Sequence, residues 1–285
     1  MGRLPAGLLK RPLKAPGAVG SGGVVSGTWQ GEYPMGERTT KEGSTMAWHG
    51  EPLVGFDLET TGTDPREARI VTAAVVEARA GEPVRRRTWL ADPGVRIPAQ
   101  ASAIHGITSE RAAAEGRPAR EVADEVAAEL CGYWARGVPV VAYNAAFDLS
   151  LLAAEIRRYG LPSLSDRLGG RPTGPVIDPY TIDRAVDRYR KGKRTLEAVS
   201  AEYGVPLEDA HDATADALAA VRVAGALALR HPSVAALDPA RLHERQIVWY
   251  AEWAADFQAF LRRKGEADAV VDPHWPLREP APLTV

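Results

Sequence analysis

Two carboxylates, Asp57 and Glu59, interrupt the apolar segment VGFDLETTG (54–62). The stretch that leads into them is short, apolar and flanked by Pro52 and Gly62, which is typical of a central β-strand. Residues two positions apart project from the same face of a strand, so both carboxylates would stand side by side. Like charges held that close repel each other and raise a pKa unless a cation lies between them. The spacing therefore indicates either a solvated strand end or a cation-binding site.

A third acid, Asp148, falls where a predicted strand gives way to a helix, in VVAYNAAFDLSLL (140–152). This position lies near the N-terminus of the helix. Capping is a common use of Asp there, so an N-cap is the structural alternative to a role in a site.

A histidine and a fourth acid occur together in EDAHDATADALAA (208–220), which opens another helix. His211 and Asp216 are five residues apart, about 500° on a helix, so the two would lie on different faces of a continuous helix. We therefore expect His211 in the preceding loop, Asp212 as the N-cap and Asp216 one turn inside. An Asp that faces an Ala-rich helix interior is unfavourable without a partner, which makes Asp216 a candidate site residue.

These segments, in this order, resemble the DEDDh family of 3′–5′ exonucleases, which includes the proofreading epsilon subunit of bacterial DNA polymerase III, RNase T and oligoribonuclease. The matching motifs are FDLETTG, NAAFD and HDATAD, with IHGIT (104–108) and VID (176–178) as further matches. The resemblance covers roughly residues 53–230. It implies the fold class α/β, with a ribonuclease-H-like five-stranded mixed sheet flanked by helices.

The resemblance implies that Asp57, Glu59, Asp148 and Asp216 hold two divalent cations, Mg²⁺ or Mn²⁺. Carboxylate oxygens suit these hard cations, and the sequence has no Cys/His cluster of the kind that binds zinc. His211 would be the general base that takes a proton from the attacking water, because a histidine pKa lies near neutrality. A solvent-exposed loop histidine is the alternative. The product would be a nucleoside 5′-monophosphate released from a 3′ end.

The resemblance also implies substrate contacts. Thr60 would meet the terminal nucleotide, and Asn144 and Phe147 would shape the site beside Asp148, although Phe147 fits a core position equally well. His105 would contact the terminal base or sugar, with a buried hydrogen-bonded histidine as the alternative.

The densest basic cluster of the chain is RYRKGKRT (188–195). Lys191, Lys193 and Arg194 are candidate contacts to the phosphates of the incoming strand. A solvated basic loop is the alternative.

The elements that must position these residues follow from the pattern of apolar residues. Strand segments LVGFDL, RIVTAAVVEA and VRRRTWLA precede a long helix, and VPVVAYN and GPVIDP follow as the fourth and fifth strands. Three consecutive strands followed by alternating helices and strands predict a mixed sheet flanked by helices. Asp178, after the fifth strand, is predicted to be a structural carboxylate. We predict an exonuclease domain at 50–232, followed by a C-terminal helix and Pro-containing tail at 237–285.

The C-terminal helix is predicted to begin after Asp238 as N-cap, with Pro239 at its first position, and to end near Lys264. Two apolar stripes follow its length. One stripe would dock on the domain. The second would be covered either by the tail VVDPHWPL or by a protein partner, for which a DNA polymerase is a candidate. The stripes consist of Ile247, Ala254, Phe257 and Leu261, and of Trp249, Trp253 and Phe260.

Composition sets the broad class. The chain has 285 residues, 45% hydrophobic and 25% charged residues and a net charge of −2, so nucleic-acid binding would depend on a local basic patch. No apolar run is long enough for a membrane span. The single Cys131 excludes an intrachain disulfide and fits a reducing cytoplasm.

Residues 1–45 are predicted to be a disordered leader. The segment KEGSTM (41–46) resembles a translated ribosome-binding site, which makes Met46 a candidate start.

The leading interpretation is a metal-dependent 3′–5′ exonuclease that acts on single-stranded DNA ends in proofreading, repair or turnover. An RNA exonuclease of the same family is the nearest alternative, because discrimination depends on contacts to the 2′-hydroxyl. A catalytically silent nucleic-acid- or polymerase-binding module is the third. The presence of all five family positions argues against it.

Overall fold

A computed structural model describes residues 47–207 and 210–278. The predicted leader at 1–45 and the proposed start at Met46 lie outside these residues. Across the described ranges, no helix combines the length and the apolar character that a membrane crossing requires.

The sheet is mixed, as predicted, with strand order β4-β3-β2-β1-β5-β6. Its strands are β1 (Pro52–Thr60), β2 (Ile70–Arg79), β3 (Glu82–Asp92), β4 (Arg117–Pro118), β5 (Val140–Val141) and β6 (Val176–Ile177). The first three form an antiparallel meander, and β5 and β6 run parallel to β1. The sixth strand, β4, was not predicted, because a two-residue pairing leaves no periodicity in the sequence.

Helices cover both faces of the sheet. In the described ranges they are α1 (Ala99–His105), α2 (Ser109–Glu115), α3 (Ala119–Ala135), α4 (Ala145–Arg158), α5 (Leu164–Arg167), α6 (Pro179–Val186), α7 (Leu196–Glu202), α8 (Ala213–Arg230), α9 (Pro232–Ala235) and α10 (Pro239–Arg263). The predicted α8 and α10 agree with these bounds to within a residue. Helix α1, which includes the first two residues of IHGIT, and helix α2, which begins directly after it, were not predicted, because seven residues are too few for a clear helical period.

The central strand β1 separates two cores. Val54, Phe56 and Leu58 alternate onto one face, where they join the apolar cluster formed with α3 and α4. The opposite face turns toward α8: Ala74, the cross-strand neighbour of Asp57, packs in a cluster with Ala213. Because both faces are buried, a charged residue on β1 can reach solvent or a ligand only near the end of the strand.

Helix α10 seals the edge strand β6. Gln246 is completely buried; its amide Nε2 donates to the carbonyl of Val176 at 3.0 Å, and its Oε1 accepts the backbone N–H of Asp178 at 2.6 Å. His243 Nδ1 accepts the N–H of Val176 at 3.1 Å. Side chains of α10 thus satisfy backbone groups that an uncovered edge strand would expose.

The first predicted stripe of α10 is only partly buried. Ala254 and Leu261 are buried as expected, whereas Ile247 is 41% exposed and the polar Gln246 takes the buried place beside it. The second predicted stripe is covered in part from within the chain. Trp253 stacks on Phe257 with ring centroids 5.5 Å apart and packs against the main core.

Candidate active site

The site is built from the end of β1. Asp57 and Glu59 lie on the same face, and their side chains are partly exposed and buried, respectively. A register irregularity separates Glu59 from Thr60, and the Thr60 hydroxyl donates to the carbonyl of Gly62 at 2.7 Å. The strand therefore ends in a fixed turn immediately after its second carboxylate.

Asp148 meets β1 directly. Its Oδ1 accepts the backbone N–H of Leu58, the residue between the two strand acids, at 3.2 Å. The N-cap of α4 is Asn144, with a left-handed backbone at φ 63°, and Asp148 lies in the first turn of the helix. The capping alternative for Asp148 is therefore excluded.

Asp178 fixes the beginning of α4. It is completely buried, and its carboxylate accepts the N–H groups of Asn144 at 2.9 Å and Ala145 at 3.2 Å. It also accepts from Tyr180 N at 3.0 Å and, in separate bonds, from the Thr181 hydroxyl and the Trp275 indole. Burial raises the pKa of this carboxyl, and these hydrogen bonds oppose the rise. The predicted structural role of Asp178 is confirmed.

Helix α8 brings the remaining acid. Asp212 is its N-cap, as predicted, and accepts the N–H groups of Thr214 at 2.9 Å and Ala215 at 3.0 Å. Asp216 lies in the first turn, and His211 precedes the cap with a left-handed backbone at φ 74°.

Three of the predicted residues form a compact set of ligand atoms. One carboxylate or imidazole atom from each of Glu59, His211 and Asp216 lies within 4.8 Å of the other two. Asp148 binds the backbone of β1 at Leu58, between Asp57 and Glu59, so it lies beside the same end of the strand. Like-charged carboxylates this close favour a bound cation.

His211 has a neighbour that the sequence did not indicate. Its Nε2 lies 3.5 Å from Oε1 of Glu197, in the first turn of α7, and both side chains are about half exposed. In the sequence, Glu197 resembles any surface residue of a short helix, so nothing in the sequence indicated that it would lie near His211.

The predicted substrate residues differ in their surroundings. Phe147 is buried in the main core, in agreement with its structural alternative. His105 closes α1, where its Nδ1 accepts the N–H of Ile107 at 3.2 Å.

The basic cluster divides into two groups. Lys191 and Lys193 are exposed. Arg194 departs from the predicted phosphate contact: its side chain is only 11% exposed and forms an ion pair with the buried carboxylate of Asp183. Its Nη1 also donates to the Asp183 carbonyl at 2.9 Å. A guanidinium held in this way supports the loop and is not offered to a ligand.

The donor set fits hard divalent cations. Carboxylate oxygens from β1 and α8 lie close together, and one imidazole joins them. Mg²⁺ and Mn²⁺ favour such oxygen ligands. Glu59, His211 and Asp216 are therefore the described residues whose ligand atoms lie close enough together to hold such an ion.

Comparisons with known proteins identify a family. Residues 54–224 match the RNase_T family model, described as exonuclease. A DNA polymerase III PolC-type protein of Streptococcus thermophilus is 31% identical over 171 residues, which are 60% of this chain and 11% of that protein. The corresponding protein of Clostridium perfringens is 30% identical over 173 residues, 61% of this chain and 11% of that protein.

Solved structures show the same fold. Exonuclease I of E. coli in complex with a dT13 oligonucleotide has a TM-score of 0.54 at 21% identity, covering 65% of this chain and 42% of that one. Exonuclease I from Methylocaldum szegediense has a TM-score of 0.51 at 26% identity, covering 64% and 41%. The chain thus spans about a tenth of the polymerases and about two fifths of the solved nucleases. Because the family model matches more than half of the chain, the protein belongs to the RNase_T exonuclease family.

Proposed function

We propose that the protein is a two-metal-ion 3′–5′ exonuclease that removes nucleoside 5′-monophosphates from single-stranded DNA. The observation that carries this proposal is the convergence of Glu59, His211 and Asp216 within 4.8 Å beside Asp57 and Asp148. A binding module would gain nothing from acids gathered where nucleic-acid phosphates must approach, because they would repel the ligand.

The chain's own residues supply the positioning and the proton transfer. Asp57, Glu59, Asp148 and Asp216 hold the cations, which when bound lower the pKa of water and offset charge at the scissile phosphate. His211 lies at the exposed side of the cluster, where its imidazole takes a proton from the attacking water. The water oxygen bonds to phosphorus, the bond to the 3′-oxygen breaks, and that oxygen takes a proton from solvent.

DNA is the favoured substrate over RNA. The PolC-type relatives are DNA polymerases, and E. coli Exonuclease I was solved with dT13. An RNA exonuclease of the same family is the second candidate.

The polymerase relatives also suggest a polymerase partner. We propose that it contacts Ile247 and Val248, which are exposed on α10. The buried free thiol of Cys131 fits a cytoplasmic location.

The test uses oligonucleotides of matched sequence as DNA and RNA, labelled at the 5′ end. With Mg²⁺ or Mn²⁺, the labelled DNA should shorten progressively from its 3′ end, faster than the RNA, and EDTA should stop the reaction. Asp57→Ala should abolish it, whereas Glu121→Ala, an exposed substitution on α3, should not. Activity that survives Asp57→Ala would exclude this site, and faster RNA shortening would favour the second candidate.

A further inference from the structure

The loop between α6 and α7 is anchored to the domain by ion pairs with a buried carboxylate and by a hydrogen bond. Arg190 and Arg194, 13% and 11% exposed, both form ion pairs with Asp183, which is completely buried. The hydroxyl of Tyr143 donates to the carbonyl of Arg194 at 2.9 Å. Arg190 and Arg194, the inward half of the basic cluster, therefore fix the backbone of the loop. The exposed residues of the cluster form its outward half.

The outward half displays an aromatic ring between cations. Tyr189 is 87% exposed, and the guanidinium of Arg188 lies 5.9 Å from its ring centroid. Lys191 and Lys193 are exposed beyond it. A tyrosine this exposed buries little surface and adds little to the core, so packing does not account for it.

The loop leads into the elements of the active site. It ends at Thr195, the N-cap of α7, whose first turn carries Glu197, the neighbour of His211 at 3.5 Å. The other end of the loop is joined to α10 by an ion pair between Arg188 and Asp256. Both side chains of this pair are more than half exposed, so the pair contributes little and a phosphate could replace Asp256 as the partner of Arg188.

We propose that Tyr189 stacks on a base of the single strand behind the 3′-terminal nucleotide, while Lys191 and Lys193 contact the adjoining phosphates. This inference rests on the proposed function and adds a distal binding site to it. An aromatic face flanked by cations is the arrangement by which proteins bind single strands without reading sequence, since every base offers a π-face.

The test measures binding without turnover. Fluorescence anisotropy with Ca²⁺ in place of Mg²⁺ would report the Kd of oligothymidylates of about 4 and about 16 nucleotides. Tyr189→Ala should raise the Kd of the longer strand by about 5- to 150-fold and leave that of the shorter strand unchanged. Tyr189→Phe, which keeps the ring, should bind like wild type. Val84→Ala, a change at another strongly exposed apolar residue, is the matched control.

Salt dependence separates stacking from charge. Tyr189→Ala should weaken binding by the same factor at every salt concentration, whereas Lys191→Ala should reduce the slope of log K against log salt by about 0.7. An unchanged Kd for Tyr189→Ala, with wild-type binding intact, would overturn the distal site alone. Failure of the wild type to bind either strand would overturn the proposed function as well.

Discussion

Gly55 and Ala217 bring strand β1 and helix α8 into backbone contact. A Cβ atom on Gly55 would lie 2.3 Å from the carbonyl oxygen of Ala217, closer than real side chains approach. Asp216 directly precedes Ala217, and Asp57 and Glu59 follow Gly55 on the same face of the strand. Because Gly55 has no side chain, β1 and α8 can approach closely, and this approach sets the distance between the acids of β1 and the acid of α8.

Gly55→Ala should therefore separate the acids. We expect it to lower the free energy of unfolding by about 1–3 kcal/mol, because the added methyl forces strand and helix apart. Nuclease activity should fall further than this stability loss explains. Gly225→Ala, in the same helix but with open space around the new methyl, should instead stabilise by up to about 1 kcal/mol. Urea denaturation of both variants checks the pair, and equal effects would contradict the contact.

Divalent cations should stabilise the fold through the acidic cluster. At a cation concentration 100 times its Kd, the gain is about 2.7 kcal/mol, because binding is linked to the folded state. Asp216→Asn should abolish most of this gain, whereas Glu121→Gln on the exposed face of α3 should retain it. Thermal unfolding in Mn²⁺ against EDTA measures the difference. A similar rise in both variants would place the ion elsewhere.

His211→Ala should reduce kcat by about 10²- to 10⁴-fold, the usual contribution of a general base. Its side chain is half exposed, so folding should not change. Single-turnover kinetics measures the chemical step, and anisotropy measures DNA affinity, which should stay within a few-fold of wild type. A loss that appears only in KM would assign His211 to substrate binding.

A buried ion pair joins α4 to the loop that follows β1. Glu155 is completely buried, and its Oε1 lies 2.5 Å from Nε of Arg69. Glu155→Gln should destabilise by about 3–5 kcal/mol, since it leaves the arginine without a counter-charge. Glu202→Gln, which breaks an exposed pair with Arg230, should cost less than about 1 kcal/mol. Chemical denaturation compares the two, and similar values would contradict the importance of burial.

Local patterns predicted much of the fold. The pleat of β1 placed Asp57 and Glu59 on one face, and the caps at Asp212 and Asp238 followed from residue type alone. Each of these depends on neighbours within one turn or one pleat, which a sequence displays directly.

Contacts between distant residues escaped prediction. Glu155 finds Arg69 across 86 positions, and Gln246 reaches Asp178 across 68. Within the basic loop no periodicity shows that Arg194 turns inward while Lys193 turns outward. These choices depend on which groups the folded chain brings together.

Asp178 also bears on how this domain can be transferred to another protein. Its carboxylate holds the residues that open α4 and, through Trp275, a segment that lies about fifty positions beyond the family match at 224. A fusion protein cut at the family boundary would carry the proposed metal-binding acids but would lack a hydrogen-bond donor to Asp178, the carboxylate that fixes the start of the helix bearing Asp148. Any transferred domain should therefore extend past Trp275.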